Sequence, residues 1–474
     1  MMGVHVRNLL PTAAMAIGLA CSAGASPSGR PEVSIEGEDF LIDGTLTYEG
    51  RHWRGHRIEG LLFNSRMVQA TFDDENPDTR ALWAYPDTGE YDAERNTDEF
   101  VAAMPSWRDA GLLAVTVCLQ GGGAIYTKPF PYHEYINSAY DPAGNLKPAY
   151  MARLERILDR AAELEMAVIL GLAYFGIDHR YIESPDAVRA MVDSLVDWLA
   201  ERDCRHVLIE VANERAHIRT RAGNVEALEL MERIRERSAS AWADGFTLLC
   251  STSLGGGGMH DEEHVRAMDF VLVHGNGQSP ERHVEMIRDI RESDAWREQP
   301  KPIVFNEAHT DVSCLWACAE NHASWGYYDQ GTNNYRDGYQ TPPVRWTINT
   351  DNKRRFFDLV RHITSGDEAE WPDSPLKIRG FDGLPEDGVV TGTIEVVALI
   401  DDRHGVREVR FFIDDEPVNT ERRYPYSLGG DTDGDPHGFD TSKLAPGAHT
   451  LRAVATSVSG ARSEAEVTFR VGAR

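Results

Sequence analysis

Residues 207–214 read VLIEVANE, and residues 302–308 read PIVFNEA. Each stretch is a short run of apolar and β-branched residues, which is the pattern of a buried strand in a parallel sheet. Each run closes on Asn-Glu, at Asn213-Glu214 and at Asn306-Glu307. Because parallel strands carry their carboxyl ends at one edge of a sheet, we expect Glu214 and Glu307 to lie near each other there.

Apolar runs of this kind recur for about 300 residues and alternate with amphipathic stretches of helical length. The predicted strands are GLLFNSRMVQA ending near Gln69, LLAVTVCLQ ending at Gln120, MAVILGLAYF ending at Phe175, VLIEVANE, FTLLCSTS, DFVLVHGN, PIVFNE and HASWGYY around Trp325. The predicted helices are 96–110, 149–164, 185–201, 225–242, 280–298 and 352–363. Eight strands that alternate with helices predict a closed (β/α)8 barrel.

A doubly wound open sheet gives the same alternation, so the loops after the strands have to separate the two folds. No glycine-rich phosphate fingerprint follows the first strand, and the glycines at 121–123 and 255–258 lack the spacing that a dinucleotide site needs. The sequence therefore favours an α/β TIM barrel over residues 31–364. Short hairpins around Asp43-Gly44 precede it, and we expect them to cap the bottom of the barrel or to pack on its flank.

The character of the chain changes after Ser365. Residues 365–373 form a polar linker, and residues 374–474 alternate short β runs with turns, as in IEVVALIDD, VREVRFFID, HTLRAVATS and AEVTFRVG. This pattern predicts a small all-β sandwich. The segment FDTSKLAPGAHTLRAVATS resembles the closing strands of bacterial immunoglobulin-like modules, which implies a spacer or a packing partner for the barrel.

Residues 1–25 have the layout of a secretory signal peptide. Arg7 precedes an apolar run at 9–20, and Ala23-Gly24-Ala25 provides a cleavage site of small residues. Cys21 adds a second interpretation, in which the mature chain carries a lipid anchor on this cysteine. The expected location is therefore secreted or periplasmic, either free or tethered at the cell surface.

The net charge of the chain limits the kinds of ligand that it can bind. The formal net charge of −28 argues against nucleic acid and against a polyanionic polysaccharide, and it favours a neutral ligand. Outside the signal no apolar run is long enough to span a membrane. Cys314 and Cys318 lie four residues apart, and the sequence leaves open whether they form a disulfide. We expect a monomer that requires no cofactor and no metal.

The two Asn-Glu motifs carry a family resemblance. Residues 40–364 resemble the (β/α)8-barrel glycoside hydrolases of clan A, which include the cellulase-like family 5 enzymes. In that clan an Asn-Glu at the end of the fourth strand supplies the acid/base, and a glutamate at the end of the seventh strand supplies the nucleophile. The strand count places Asn213-Glu214 on the fourth strand and Glu307 on the seventh. The resemblance therefore implies a retaining hydrolase of β-glycosidic bonds that acts on a poly- or oligosaccharide.

The chemistry explains why two acids are needed. Cleavage of an acetal needs a proton on the leaving oxygen and negative charge behind the anomeric carbon. Retaining enzymes place the two carboxyl groups about 5–5.5 Å apart. Glu210 alternates onto the same face as Glu214 but lies four residues deeper, so we interpret it as a paired acid of the barrel interior.

Weaker expectations concern the ends of the other strands. The resemblance implies that Asn213 binds the 2-hydroxyl of the sugar, that His274 contacts the nucleophile and that Trp325 stacks under the sugar. Asn64, Arg66 and Gln120 end the first two strands and are further candidates for substrate binding. Clan members commonly support the nucleophile with an arginine on the second strand, whereas this strand ends in VCLQGGG without one. Either Arg66 replaces it from the neighbouring strand, or the electrostatics around Glu307 differ.

Two other functions stay open at this point. In the first, Glu214, His274, Glu307 and His309 converge on a divalent ion in a metal-dependent hydrolase. In the second, the barrel is a non-catalytic glycan-binding scaffold, because a fold by itself does not establish a function.

Overall fold

The computed structural model describes residues 29–120, 134–174, 178–331, 335–366, 376–385, 388–400, 406–422, 424–432, 435–457 and 460–472. The predicted signal peptide and most of the predicted linker lie outside these residues. No helix within the described ranges combines the length and the apolar character needed to cross a membrane.

One parallel sheet of eight strands forms the centre of the described barrel region. Its strands are β1 (Asn64–Arg66), β2 (Ala114–Cys118), β3 (Ala167–Gly171), β4 (Val207–Glu210), β5 (Leu249–Ser251), β6 (Val271–His274), β7 (Ile303–Glu307) and β8 (Ser324–Tyr327). The spatial order β5-β4-β3-β2-β1-β8-β7-β6 follows the chain around a circle. The circle closes between β5 and β6, where the Asp269 amide donates to the Cys250 carbonyl at 3.0 Å. The predicted (β/α)8 barrel is therefore confirmed.

A helix follows each strand of the barrel. These helices are α1 (Ala93–Asp109), α2 (Pro148–Glu163), α3 (Pro185–Glu201), α4 (Ala227–Ala241), α5 (Glu262–Ala267), α6 (Pro280–Glu292), α7 (Val312–Glu320) and α8 (Asp351–Ser365). Ser184 and Ser279 cap α3 and α6 by accepting hydrogen bonds from Ala187 and Arg282 amides. The single helix predicted over 280–298 is wrong, because Ser293 interrupts it and caps a separate short helix, Asp294–Glu298.

The N-terminal hairpins close the bottom of the barrel, as predicted. Strands Val33–Glu36, Asp39–Ile42 and Thr45–Leu46 form an antiparallel sheet of three strands. Val33 and Phe40 are buried against barrel residues that include Leu62, Leu208 and Leu272. The Phe40 ring meets the Phe270 ring edge-on at 6.1 Å. This plug removes water from the amino-terminal end of the barrel, so the open end lies at the carboxyl ends of the strands.

The C-terminal region is an all-β, immunoglobulin-like domain. Its larger sheet contains five strands, in the order Val389–Val390, Arg462–Val471, Gly447–Ser457, Val406–Ile413 and Glu416–Glu421. Two-stranded pairs complete the domain, namely Ile378–Asp382 with Val397–Ile400, Thr393–Ile394 with Phe439–Asp440, and Asp431–Thr432 with Asp435–Pro436. Alternate residues such as Val409, Phe411 and Ile413 face one apolar core.

The domain packs directly on the barrel. Arg355 of α8 is fully buried and donates to the Tyr426 hydroxyl at 2.8 Å and to the Arg422 carbonyl at 2.6 Å. Both acceptors lie in the segment that follows strand Glu416–Glu421. The two domains are thus joined by hydrogen bonds to a buried guanidinium as well as by the covalent chain.

Candidate active site

Glu214 and Glu307 meet at the carboxyl ends of β4 and β7. A carboxylate oxygen of each lies within 4.8 Å of the other and of a ring nitrogen of His274. Glu307 is 4% exposed, while Glu214 is partly open to the mouth of the barrel. The separation of the two acids is short, as the chemistry of a direct attack by one of them requires.

The backbone of Glu214 is strained in a way that aims its side chain. Its φ of +57° lies in the left-handed region that residues other than glycine rarely adopt. Hydroxyl groups after β5 hold this turn. The Ser253 hydroxyl accepts a hydrogen bond from the Glu214 amide at 2.9 Å, and the Thr252 hydroxyl donates one to the Ala212 carbonyl at 2.9 Å. The fixed turn brings Glu214 over the barrel axis rather than along the strand.

A β-bulge aims Glu307. Val273 of β6 pairs with Phe305, but the next residue, His274, pairs with Glu307, so Asn306 is an extra residue in β7. Bulges re-aim side chains, and they are over-represented next to active sites. Both polar residues consequently contribute to the site, since Asn306 donates to Glu210 at 3.2 Å while Glu307 contacts Arg66.

Arg66 is the cation behind Glu307. Its Nε lies 2.7 Å from Glu307 Oε2, and its Nη1 lies 3.3 Å from Glu210 Oε2. The guanidinium is 1% exposed. The first of the two alternatives for the missing arginine on β2 is therefore the one observed, because Arg66 reaches the same carboxylate from β1.

Glu210 forms the lower part of this charged network. Besides Arg66 it receives hydrogen bonds from Ser253 at 2.6 Å and from Asn306 at 3.2 Å. Burial by itself would raise the pKa of Glu210, but Arg66 and His274 lower it to about 2. Glu210 is thus a permanently ionised acid of the barrel interior that holds Arg66 and His274 in place.

His274 lies between the carboxylates. Its Nδ1 is 3.1 Å from Glu214 Oε1 and 3.5 Å from Glu307 Oε2, and its Nε2 is 3.5 Å from Glu210 Oε1. Burial disfavours the imidazolium, yet Glu307, Glu210 and Glu214 outweigh it and raise the pKa of His274 to about 9. At neutral pH the ring is therefore a cation that donates to Glu214.

The two central acids titrate together with His274. Burial raises the pKa of Glu307, and Arg66 offsets only part of this effect. Burial also acts on Glu214, but there the hydrogen bond with His274 prevails and lowers the pKa. The empty site thus favours a proton on Glu307 over one on Glu214. The His274 contact accounts for the lowered pKa of Glu214, and burial accounts for the raised pKa of Glu307.

Other candidates from the sequence lie around this centre. Both amide atoms of Asn213 are buried without a hydrogen-bond partner among the described residues, as expected for a group that awaits a ligand. Gln120 is buried at the end of β2, where its Oε1 accepts from Ser138 and its Nε2 has no partner in the described part of the chain.

Two candidates do not reach the mouth of the barrel. Ser324 and Gly326 face the barrel axis, so the alternation of the strand turns Trp325 outward, where it packs fully buried against Phe356 of α8. Asn64 lies deep inside, with its amide donating to the Phe305 carbonyl at 3.4 Å. The structure thus places both side chains away from the open end of the barrel, and Trp325 is in the position of a core tryptophan.

Sequence reasoning missed three residues that contact the acids. Asn276 donates to Glu307 Oε1 at 3.0 Å, and Ser253 and Asn306 bind Glu210. Asn276 follows His274 by two residues in HGNGQ, and Ser253 ends the run CSTS. Polar residues just past a strand are the available signal, but many such residues only cap loops.

The metal alternative does not fit these donors. Both ring nitrogens of His309 are engaged elsewhere. Its Nε2 faces the Gln278 carbonyl at 3.0 Å, and its Nδ1 accepts a hydrogen bond from the Asp311 amide. The remaining three residues, Glu214, His274 and Glu307, each offer an atom to the same space, but the Nε of the buried Arg66 lies 2.7 Å from Glu307 Oε2. This guanidinium competes with a divalent ion for the carboxylate and disfavours a metal there.

Comparison with protein-family models concerns the C-terminal domain. Residues 385–453 match the family model of the bacterial Ig domain, which confirms the predicted immunoglobulin-like module. No curated protein sequence matches the chain. Because the module covers only the C-terminal region, the sequence comparisons assign nothing to the barrel.

The structure is similar to several solved glycoside hydrolases. An endo-β-1,4-mannanase from Thermotoga petrophila is 15% identical at a TM-score of 0.45, covering 90% of this chain and 100% of that one. A glycoside hydrolase family 5 structure from Bacteroides vulgatus is 12% identical at a TM-score of 0.44, with coverages of 87% and 90%. A family 5 mannosidase from Rhizomucor miehei is 12% identical at a TM-score of 0.42, with coverages of 71% and 97%. The function of this chain has to be argued from its own site.

Proposed function

We propose that this protein is a secreted retaining glycoside hydrolase that cleaves β-glycosidic bonds in a poly- or oligosaccharide. The observation that carries the proposal is the pair of carboxylates with oxygens within 4.8 Å of each other, one of which contacts a buried arginine at 2.7 Å. Inverting enzymes need a gap of about 6.5–9.5 Å between the acids to hold a water molecule. An oxygen of each acid within 4.8 Å of the other supports the closer, retaining arrangement and a double displacement.

Glu307 is the nucleophile in this mechanism. Arg66 donates to one of its oxygens and Asn276 donates to the other, and these two donors oppose the effect of burial, which raises the pKa of Glu307 in the empty site. The carboxylate attacks the anomeric carbon, the glycosidic bond breaks, and a covalent glycosyl ester forms.

Glu214 is the general acid and then the general base. It protonates the leaving oxygen in the first step and takes a proton from the incoming water in the second. To act as an acid, Glu214 must be protonated, but in the empty site the hydrogen bond with His274 lowers its pKa. A leaving oxygen that takes the place of His274 at Glu214 would raise the pKa of this acid at the moment of catalysis.

Asn213 is the proposed contact to the sugar at the scissile bond. Its unpartnered amide is next to Glu214 in the chain and offers both a donor and an acceptor to a hydroxyl group. Leaving such a buried amide unpaired costs free energy, which a bound sugar recovers. Export remains part of this proposal and rests on the signal-like residues 1–25.

The decisive test is covalent labelling with a panel of 2-deoxy-2-fluoro glycosyl fluorides of different sugars. Such probes form the ester faster than they lose it. We expect a mass increase on the intact protein that peptide mapping places on Glu307, while a Glu307→Gln control stays unlabelled.

The other outcomes lead to different functions. Label on another carboxylate would reassign the nucleophile. Turnover of a glycoside without any label would exclude the covalent intermediate. A folded protein that neither labels nor turns over substrates but binds glycans, also as Glu307→Gln, would be a binding scaffold.

A further inference from the structure

A cleft of about 900 Å³ lies between the mouth of the barrel and the immunoglobulin-like domain. The barrel contributes loop residues after β6, β7 and β8, among them Asn276, Gln278 and Tyr328. The opposite wall comes from the C-terminal domain and includes Thr420, Arg422 and Tyr424. The domain that the sequence suggested as a spacer or packing partner therefore forms one side of a concave surface.

This cleft adjoins the proposed nucleophile through Asn276. Asn276 lines it and also donates to Glu307 at 3.0 Å. Tyr328, the residue directly after β8, lines it too. Asn276 therefore belongs both to the wall of the cleft and to the surroundings of Glu307.

The outer wall is held by buried contacts. Arg355 of α8 bonds to the Tyr426 hydroxyl and to the Arg422 carbonyl, two residues on either side of Tyr424. Tyr426 is fully buried, and its ring meets the Tyr424 ring edge-on at 6.1 Å. The Tyr424 ring is thus positioned by the barrel itself, as a binding wall requires.

The chemistry of the lining selects the class of ligand. Six carboxylate residues and two arginines are among the lining residues that the structure describes, namely Asp311, Asp329, Asp337, Asp351, Glu421 and Asp431 with Arg354 and Arg422. Such an excess of acids repels polyanions. Tyr424 adds a half-exposed aromatic ring, and the apolar faces of sugars pack on such rings.

We propose that the immunoglobulin-like domain is part of the substrate site and binds the sugar units of a neutral oligosaccharide that extend beyond the scissile bond. This inference rests on the proposed function for the identity of the scissile bond, although the cleft itself does not. The class of ligand is an uncharged glycan of several units, and a glycan of uronic acids is excluded.

The test measures binding by calorimetry in the Glu307→Gln background, so that turnover does not consume the ligand. The probes are the β-1,4-linked hexaoses of glucose, mannose and xylose, with β-1,4-linked hexamannuronate as the charged counterpart of mannohexaose. Thr420→Trp fills the cleft from an exposed strand position, and Thr468→Trp makes the same change at an exposed position outside the cleft lining.

We expect at least one neutral hexaose to bind and hexamannuronate not to bind. Thr420→Trp should raise the Kd of that hexaose about tenfold, because the indole occupies space that a sugar unit would fill; this change corresponds to about 1.4 kcal/mol. Thr468→Trp should leave the Kd unchanged. Tyr424→Leu removes a ring without adding bulk and should weaken binding in the same direction. Circular dichroism of each variant verifies that it is folded.

Three results would overturn the inference. These are equal binding of the hexaose by the Thr420→Trp and Thr468→Trp chains, tight binding of hexamannuronate, and binding of none of the hexaoses. Failure of the proposed hydrolase looks different. It would appear as an absence of turnover and of covalent label in the parent, while the hexaose still binds and Thr420→Trp still weakens it.

Discussion

The bottom and the top of the barrel interior are built by the same strands and have opposite chemistry. Leu208, Leu272 and Val304 face the axis near the N-terminal plug, where Phe40 covers them. Two residues further along the same strands, the axis is lined by Glu210, His274 and Asn306. A strand places every second residue on one face, so Leu208 and Glu210 point to the same axis one layer apart. The lower layer contributes to stability, and the upper layer supplies the polar groups of the site.

The charged upper layer of the barrel interior costs more free energy to assemble than the apolar lower layer. The lower layer is stabilised by removal of apolar surface from water. The upper layer buries Arg66, Glu210 and Glu307, and desolvation of such charges offsets much of their attraction. A set of buried charges that is expensive to assemble supports the proposed catalytic role, and substitutions in one layer at a time separate the contributions of the two layers to activity and stability.

The largest effect is expected for Glu307→Gln in the upper layer. Loss of the nucleophile should lower kcat/KM by about 10⁴-fold or more, since residues that act as a unit fail together. The isosteric amide keeps the shape of the layer, so the thermal midpoint should change little. Steady-state kinetics on an aryl glycoside and a thermal melt check both parts. Retention of more than a tenth of the activity would contradict the assignment.

Glu214→Ala should have the next largest effect. Removal of the acid/base should slow hydrolysis by about 10²–10⁴-fold, and less for a leaving group that needs no proton. Azide should restore part of the rate, because it attacks the glycosyl ester without a general base. The product should be a glycosyl azide of retained configuration, identified by NMR. Glu307→Ala should not yield that product, and equal rescue of both variants would remove the distinction between their roles.

In the lower layer we expect Phe40→Ala to change stability without changing the chemistry. A large-to-small substitution at a fully buried aromatic residue typically costs about 3–5 kcal/mol in the free energy of unfolding. Urea denaturation measures this cost, and kcat well below the unfolding transition should match that of the parent. A large loss of kcat in the folded variant would show that the two layers are coupled.

The smallest effect is expected for the pH dependence of stability. His274 has a pKa of about 9 in the folded chain against an ordinary value of 6.5. Its protonation therefore stabilises the fold fully below pH 6.5, and this contribution is lost as the pH rises through 9. Relative to His274→Asn, the parent should lose no more than a few kcal/mol over that window.

Urea titrations of both chains at several pH values measure this loss. Phe40→Ala provides the control, because it should keep the pH profile of the parent. Parallel profiles for the parent and His274→Asn would show that His274 is not charged in the folded state.

The catalytic candidates could be read from the sequence because their signals are local. Glu214 and Glu307 each end an apolar run, and the strand count alone placed them on β4 and β7. For Trp325 and Asn64 the local sequence did not reveal whether the side chain reaches the mouth of the barrel. Which face of a short strand points to the axis depends on its pairing with its neighbours, and a one-residue error reverses every side chain.

The sequence by itself determined the barrel, the appended β domain and the two strands that carry the acids, because hydrophobic periodicity and chain order are properties of contiguous residues. Only the tertiary structure decided that Arg66 supports Glu307, that a bulge at Asn306 aims this acid, and that Tyr424 faces the cleft. The first is a contact between distant parts of the chain, the second depends on how β7 pairs with its neighbour β6, and the third lies between separate domains. Their distances depend on how the sheet closes and how the domains pack, which no local pattern encodes.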